Sequence, residues 1–161
     1  MTIEEYNHCV RLHSDGVFRF IFKNLAQRSD TEDVVQTTFE KLWIKREMVS
    51  YDKAKSYLFS IAYHTMIDLI RKQKFVAAYQ NIPEKGDEQL ERQFEAKELM
   101  DKSLAHLSPI QKSLILLRDY EGYDYEEIAK ISELSLSQVK VYLFRARKKL
   151  QETIQSLEKA I

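Results

Sequence analysis

Apolar positions recur at helical spacing along almost the whole chain. Ile3, Tyr6 and Val10 share one face of an amphipathic start, and Val17, Phe18, Ile21, Phe22 and Leu25 continue the spacing to about Gln27. Thr2, followed three residues later by Glu5, reads as a capping box for this start. Asp30 then reads as the cap of a third helix, with Glu32 and Asp33 in its first turn, where negative charge suits the macrodipole. Val35, Phe39, Leu42 and Trp43 mark its expected buried face, running to about Glu47. Met48 to Asp52 is a break. From Lys53 a long helix carries Tyr57, Leu58, Ile61, Ala62, Thr65, Ile67, Leu69 and Ile70 and is expected to end in Arg71-Lys72-Gln73-Lys74. Residues 1–75 therefore predict a helical bundle that is small but able to fold alone.

The pattern lapses at 76–90, where Asn81-Ile82-Pro83 and Lys85-Gly86-Asp87 bring in both common helix breakers, and this span reads as a linker. A helix resumes near Glu88 with Leu90, Phe94, Met100, Leu104 and Leu107, opening a second domain over 91–161. Three further capping boxes follow: Ser108 with Gln111 around Pro109, Asp124 with Glu127, and Ser135 with Gln138. The helix opened by the first should pack through Leu114 and Leu117. Between the last two helices lies Ile131-Ser132-Glu133-Leu134, a turn suited to a helix-turn-helix. The terminal helix shows an apolar seam of Val139, Leu143, Ala146, Leu150, Ile154 and Leu157. The expected fold is all-α, two small helical domains joined by a flexible linker.

Composition sharpens this picture in three ways. Three glycines and two prolines in 161 residues suit helices throughout. No apolar run approaches the roughly 20 residues of a membrane span and no signal peptide is expected at Met1, so the chain is read as cytoplasmic and not itself a membrane protein. The single cysteine, Cys9, excludes an internal disulfide and reads as a small core residue. Net charge is zero, but it is unevenly spread: residues 1–75 hold 12 basic and 10 acidic side chains, 76–101 hold 3 and 7, and 102–161 hold 10 and 8. Between Ser135 and Gln151 stand Lys140, Arg145, Arg147, Lys148 and Lys149 without an acid. That stretch marks a nucleic-acid-reading helix, while overall neutrality predicts weak binding unless a partner holds the chain on DNA.

Two sets of residues resemble one family. Leu107-Ser108-Pro109, Tyr120-Glu121-Gly122, Tyr125-Glu126-Glu127-Ile128-Ala129, Ser135, Val139-Lys140 and Arg145-Ala146-Arg147-Lys148-Lys149-Leu150 are similar in order and spacing to domain 4 of bacterial sigma factors of the extracytoplasmic-function group, in the sigma-70 family. Asp30-Thr31-Glu32-Asp33-Val34-Val35-Gln36, Phe39, Leu42-Trp43 and Tyr57-Leu58-Phe59-Ser60-Ile61-Ala62, with Asp68 and Arg71-Lys72, resemble its domain 2.

The resemblance implies three sites. Asp30, Glu32, Asp33 and Gln36 would engage the clamp-helix coiled coil of core RNA polymerase, beside any capping role of Asp30. Tyr51, Lys53, Lys55, Tyr57, Tyr63, His64, Arg71 and Lys72 would recognise and melt the −10 promoter element. Ser135, Ser137, Gln138, Lys140, Val141, Tyr142 and Arg145 would face bases of the −35 element, and Arg147, Lys148 and Lys149 its phosphates. Three departures stand out: His64 where many members carry Asn, Glu133 where Gly is common in the turn, and Val141-Tyr142 in place of a small-then-basic pair. His64 and Asp68 also read as a surface helix pair, and Arg71 to Lys74 as favourable charge at a helix C-terminus.

The expected function is thus a promoter-specificity subunit, a monomer when free, without catalytic residues, cofactor or metal site. Its partners would be core RNA polymerase, promoter DNA and an anti-sigma factor that the resemblance suggests is membrane-anchored. The acidic residues Glu84, Asp87, Glu88 and Glu91 are expected to travel near the RNA exit path. A stand-alone helix-turn-helix regulator and a helical interaction protein without DNA function remain as alternatives.

Overall fold

The computed structural model describes residues 1–80 and 96–160. Within them the chain forms α1 (Ile3–Leu25), α2 (Arg28–Lys45), α3 (Ala54–Gln80), α4 (Ala96–Leu104), α5 (Pro109–Ile115), α6 (Tyr125–Ser132) and α7 (Leu136–Lys159). Two 3₁₀ turns, Arg46–Met48 and Tyr51–Lys53, join α2 to α3, and a π turn at Leu116–Tyr120 continues α5. No described helix is long and apolar enough to cross a membrane.

All four expected capping boxes form. In each, the N3 backbone N–H donates to the cap side chain and the N3 carboxylate or amide oxygen accepts from the cap N–H: Thr2 with Glu5, Ser108 with Gln111, Asp124 with Glu127, and Ser135 with Gln138. The two N-terminal stretches form one helix, α1, closed by Ala26 in the left-handed region at φ 54°. Asp30 is not a cap. α2 starts at Arg28 with Gln27 preceding it, which places Asp30 in the first turn. The buried face of α2 is correspondingly shifted, to Thr31, Val34, Thr38 and Leu42. Both threonines can be buried because their hydroxyls donate one turn back, Thr31 to the Gln27 carbonyl at 2.6 Å and Thr38 to that of Val34 at 2.7 Å. Val35 and Phe39 are half-buried, and Trp43 is 38% exposed under the Arg46 guanidinium, 3.9 Å from the ring centre.

The third helix does not stop at Lys74. It runs to Gln80, five residues into the span read as linker, while 81–90, the boundary at 91 and the acidic residues Glu84, Asp87, Glu88 and Glu91 lie outside the described residues. The helix-turn-helix turn forms around Glu133, which takes the left-handed conformation at φ 59° directly after α6. Cys9 is buried, and burial pushes its thiol up from the ordinary value.

One apolar cluster runs through both halves of the molecule. Val17, Phe20, Ile21, Leu42, Leu58, Phe59 and Met66 from the first half join Leu104, Leu114, Leu117, Ile128, Val139, Leu143 and Ala146 from the second. The junction is aromatic: the Phe59 ring lies 5.6 Å from Phe20 and 5.4 Å from Tyr123.

A side chain held in the left-handed region costs about 1–2 kcal/mol, partly offset by the extra freedom glycine has in the unfolded chain. Glu133→Gly is therefore expected to stabilise the protein by about 0.5–1 kcal/mol, read as a higher urea midpoint at unchanged slope. A lower midpoint would mean that the contacts of the Glu133 side chain outweigh its backbone strain.

Candidate nucleic-acid interface

α7 divides its residues cleanly. Val139, Leu143, Ala146 and Leu150 are buried against α5 and α6, which leaves the opposite side free along the whole helix. Ser135, Ser137, Gln138, Lys140, Val141, Arg145, Arg147, Lys148 and Lys149 are all exposed. Tyr142 differs: it is half-buried and packs against the core. The Ser135 N–H donates to Gln138 Oε1 at 2.9 Å. That bond takes one lone pair of the amide oxygen and leaves the N–H₂ of Gln138 without a described partner in the cap.

Arg147 is engaged within the protein, donating to Asp119 at 3.1 Å and to the Tyr125 hydroxyl at 3.4 Å. Sequence reasoning passed over Phe144, which lies off the apolar seam yet is 70% exposed, in line with Lys140 and Lys148 one turn to either side. Together with Tyr125, Arg147 and Gln151 these three line a shallow groove on the outer face of α6 and α7. The hint in the sequence was an aromatic flanked at four-residue steps by Lys140 and Lys148.

The second set of residues is split by the fold. Tyr51, Lys53, Lys55, Arg71 and Lys72 are exposed, and Tyr57 and His64 are half-buried. Tyr63, expected at the DNA face, is 4% exposed and belongs to the core, where burial pushes its phenol up. His64 Nδ1 lies 2.8 Å from the Ser60 carbonyl, which can only accept, so this nitrogen carries a proton. Its Nε2 lies 3.4 Å from a Glu133 carboxylate oxygen. Asp68 is exposed and, with Asp33, Lys41 and Lys72, lines a groove between α2 and α3.

On α2, Glu32, Asp33 and Gln36 are exposed and Asp30 is half-buried. Glu32 accepts from Arg28 at 2.9 Å, Asp30 from Gln73 at 3.0 Å, and Gln36 donates to Glu40 at 3.2 Å. Asp33 is in none of these three pairs, and Glu32, Asp33 and Gln36 are exposed on the first half of the helix, which suits a basic partner helix, while Asp30 turns toward α3. Among the described residues, no three His, Cys, Asp or Glu side chains converge as metal ligands.

At the junction of the two halves α3, which carries part of the −10 candidate set, meets α6 and the turn that precedes α7. Ser60 donates to the Ile131 carbonyl at 3.0 Å, one turn of α3 before the His64–Glu133 contact. Arg19 grips Glu121 with two parallel hydrogen bonds of 3.1 and 3.0 Å. Lys112, its ammonium pushed down by burial, donates to the Asn24 carbonyl at 2.8 Å, and Ser113 donates to the Asn24 side chain at 3.0 Å. The Tyr123 hydroxyl is buried there without a partner among the described residues, and burial pushes its pKa up.

Two family models match the chain in order: Sigma-70 region 2 over residues 9–76 and Sigma-70 region 4 over residues 97–150. It is 30% identical over 145 residues to the RNA polymerase sigma factor SigV of Bacillus subtilis, covering 87% of this chain and 85% of the relative. It is 26% identical over 160 residues to the ECF RNA polymerase sigma factor SigM of the same organism, covering 94% of each. Among solved structures it resembles the sigma factor RpoE in complex with the anti-sigma factor NepR from Bartonella quintana. The TM-score is 0.79 at 23% identity, over 95% of this chain and 98% of that one, a likeness of fold.

The Glu121 side chain is 6% exposed while that of Arg19 is 51% exposed. Removing the arginine alone strands a desolvated carboxylate, whereas removing both leaves nothing unpaired. Arg19→Ala is expected to cost about 1–2 kcal/mol of stability, and Arg19→Ala/Glu121→Ala less than that. Urea denaturation of the two variants checks this, and equal costs would show that Glu121 regains water when unpaired.

Proposed function

The chain belongs to the sigma-70 family, as a sigma factor of the extracytoplasmic-function group carrying regions 2 and 4, and we propose on that premise how its surfaces divide the work of promoter recognition. α7 reads the −35 element in the major groove, with Ser135, Ser137, Gln138, Lys140, Val141 and Arg145 toward bases and Lys148 and Lys149 toward phosphates. α3 and the turn before it open the −10 element through Tyr51, Lys53, Lys55, Tyr57, His64, Arg71 and Lys72. The outward face of α2 at Asp30, Glu32, Asp33 and Gln36 docks on core RNA polymerase, which supplies the reaction. The observation that carries this reading is the exposed basic face of α7 behind a boxed turn.

The packed form must open to act. Elements near −35 and −10 lie about 25 base pairs apart, or about 85 Å at about 3.4 Å per step. A compact chain of this length has a radius of gyration of about 15 Å and spans about 40 Å. Reading both elements therefore parts the two halves and frees Ser60, His64 and Glu133 from one another. The RpoE relative of similar fold was solved with its anti-sigma factor NepR. A comparable inhibitor for this chain would hold the packed form, acting in the cytoplasm where the polymerase works.

Run-off transcription with core polymerase on a random promoter library tests the function. Specific initiation supports it, and tight operator binding by the chain alone, without polymerase, would favour a stand-alone regulator. On the promoters so selected, Lys140→Ala is expected to relax preference at one −35 position by about 1–3 kcal/mol. Lys148→Ala/Lys149→Ala should instead weaken all promoters alike and reduce the salt slope by about 2.

A further inference from the structure

The junction between the two halves pairs its polar groups closely. Arg19 donates to both oxygens of Glu121, Ser60 donates to the Ile131 carbonyl, and Lys112 and Ser113 both donate to Asn24. One atom breaks the pattern. Among the described residues, the Tyr123 hydroxyl is the only buried side-chain nitrogen or oxygen without a hydrogen-bond partner, and solvent does not reach it. The whole residue is 5% exposed.

The second half alone fixes where this side chain starts. The Tyr123 N–H donates to the Leu117 carbonyl at 3.0 Å, and its own carbonyl accepts from Arg118 at 3.0 Å. Gly122 at φ 76° makes the bend just before it. The first half supplies the cover. The Phe59 ring of α3 meets Tyr123 edge-on at 5.4 Å, and the Lys55 ammonium of α3 stands 5.4 Å from the ring centre. A phenylalanine would offer both of them much the same ring. The hydroxyl therefore adds little to closure and costs free energy there, because a buried donor without a partner has given up water for nothing. When α3 withdraws, the backbone still holds Tyr123 in place and its hydroxyl regains water.

We propose that the Tyr123 hydroxyl is a release device at the junction, which weakens the closed form selectively and thereby sets the fraction of molecules that are parted. The inference rests on the reading that the two halves separate to act. A stranded donor of this kind is enough to move such an equilibrium about tenfold. Its effect falls on readiness for polymerase and leaves the surfaces that meet DNA as they are.

The test places donor and acceptor dyes at Asn7→Cys and Glu152→Cys, both exposed positions, in a Cys9→Ala chain, and reads the separation of the halves in single molecules. Tyr123→Phe is expected to lower the parted fraction about tenfold and to weaken apparent affinity for core polymerase by about the same factor. The promoters selected should be unchanged. Tyr120→Phe removes a hydroxyl from a residue 41% exposed and keeps the ring beneath Lys23, so both quantities should stay within about twofold. An equal or larger parted fraction in Tyr123→Phe would overturn the proposal. So would weaker polymerase binding at an unchanged parted fraction, which would make the hydroxyl a polymerase contact. If the dyes are no further apart in promoter-bound holoenzyme than in the free chain, the opening itself fails. If they do separate there and Tyr123→Phe parts as readily as the unaltered chain, only the release device fails.

Discussion

Phe59 sits where the two halves of the molecule meet, and most of the arrangement follows from its contacts. Its ring reaches Phe20 on one side and Tyr123 on the other, at 5.6 and 5.4 Å. Because it is 1% exposed, neither half can be displaced without returning that ring to water. Ser60, the next residue, turns its hydroxyl to the Ile131 carbonyl, and His64 one turn later meets Glu133. An apolar contact thus sets the register, and polar contacts on the adjoining face of α3 complete it. The same helix packs on α1 and α2, so the first half's core and the junction share one rigid element.

This placement reconciles a net charge of zero with a DNA-reading role. Of the exposed cations of α7 only Arg147 is drawn to a described acid, Asp119, while other acids pair elsewhere: Glu121 with Arg19 and Glu32 with Arg28. Neutrality is therefore a sum over faces and not a property of any one of them. It still limits what the isolated chain does on DNA, since phosphate neutralisation supplies much of non-specific affinity. Docking on core RNA polymerase delivers the helix-turn-helix at high local concentration, which substitutes for charge.

What the sequence disclosed was mostly local. Every capping box joins residues three apart, and Thr2, Ser108, Asp124 and Ser135 all form theirs. Asp30 misled because α2 begins without a side-chain cap, at a position whose cue is the buried Thr31 hydroxyl and not a cap residue. The end of α3 was misplaced because the breakers begin only at Asn81, while the cations before them imitate a terminus. Tyr63 lies in a helix whose exposed and buried faces can be read from spacing, but it belongs to the apolar cluster that both halves share, which no local pattern reveals. Phe144 and Tyr79 share the opposite problem: aromatics signal core by composition, and only the fold shows them standing in water. Of the site, the helix faces were legible and the meeting of His64 with the helix-turn-helix turn at Glu133 was not.

The junction between α3 and α6 also has a consequence for supply. A chain that is competent only when parted binds polymerase with an apparent affinity reduced by the fraction that is open. Each 1.4 kcal/mol of closing energy raises the polymerase concentration needed for half-occupancy tenfold. Sigma factors that compete for a limited pool of core enzyme are ranked by that apparent value. On the proposed opening, the Arg19–Glu121 and Ser60–Ile131 contacts would set this protein's place in the queue, through side chains assigned to neither DNA nor polymerase. Substitutions at Arg19 or Ser60 would then retune how much of the cell's transcription this factor claims, with its promoter preference left as it was.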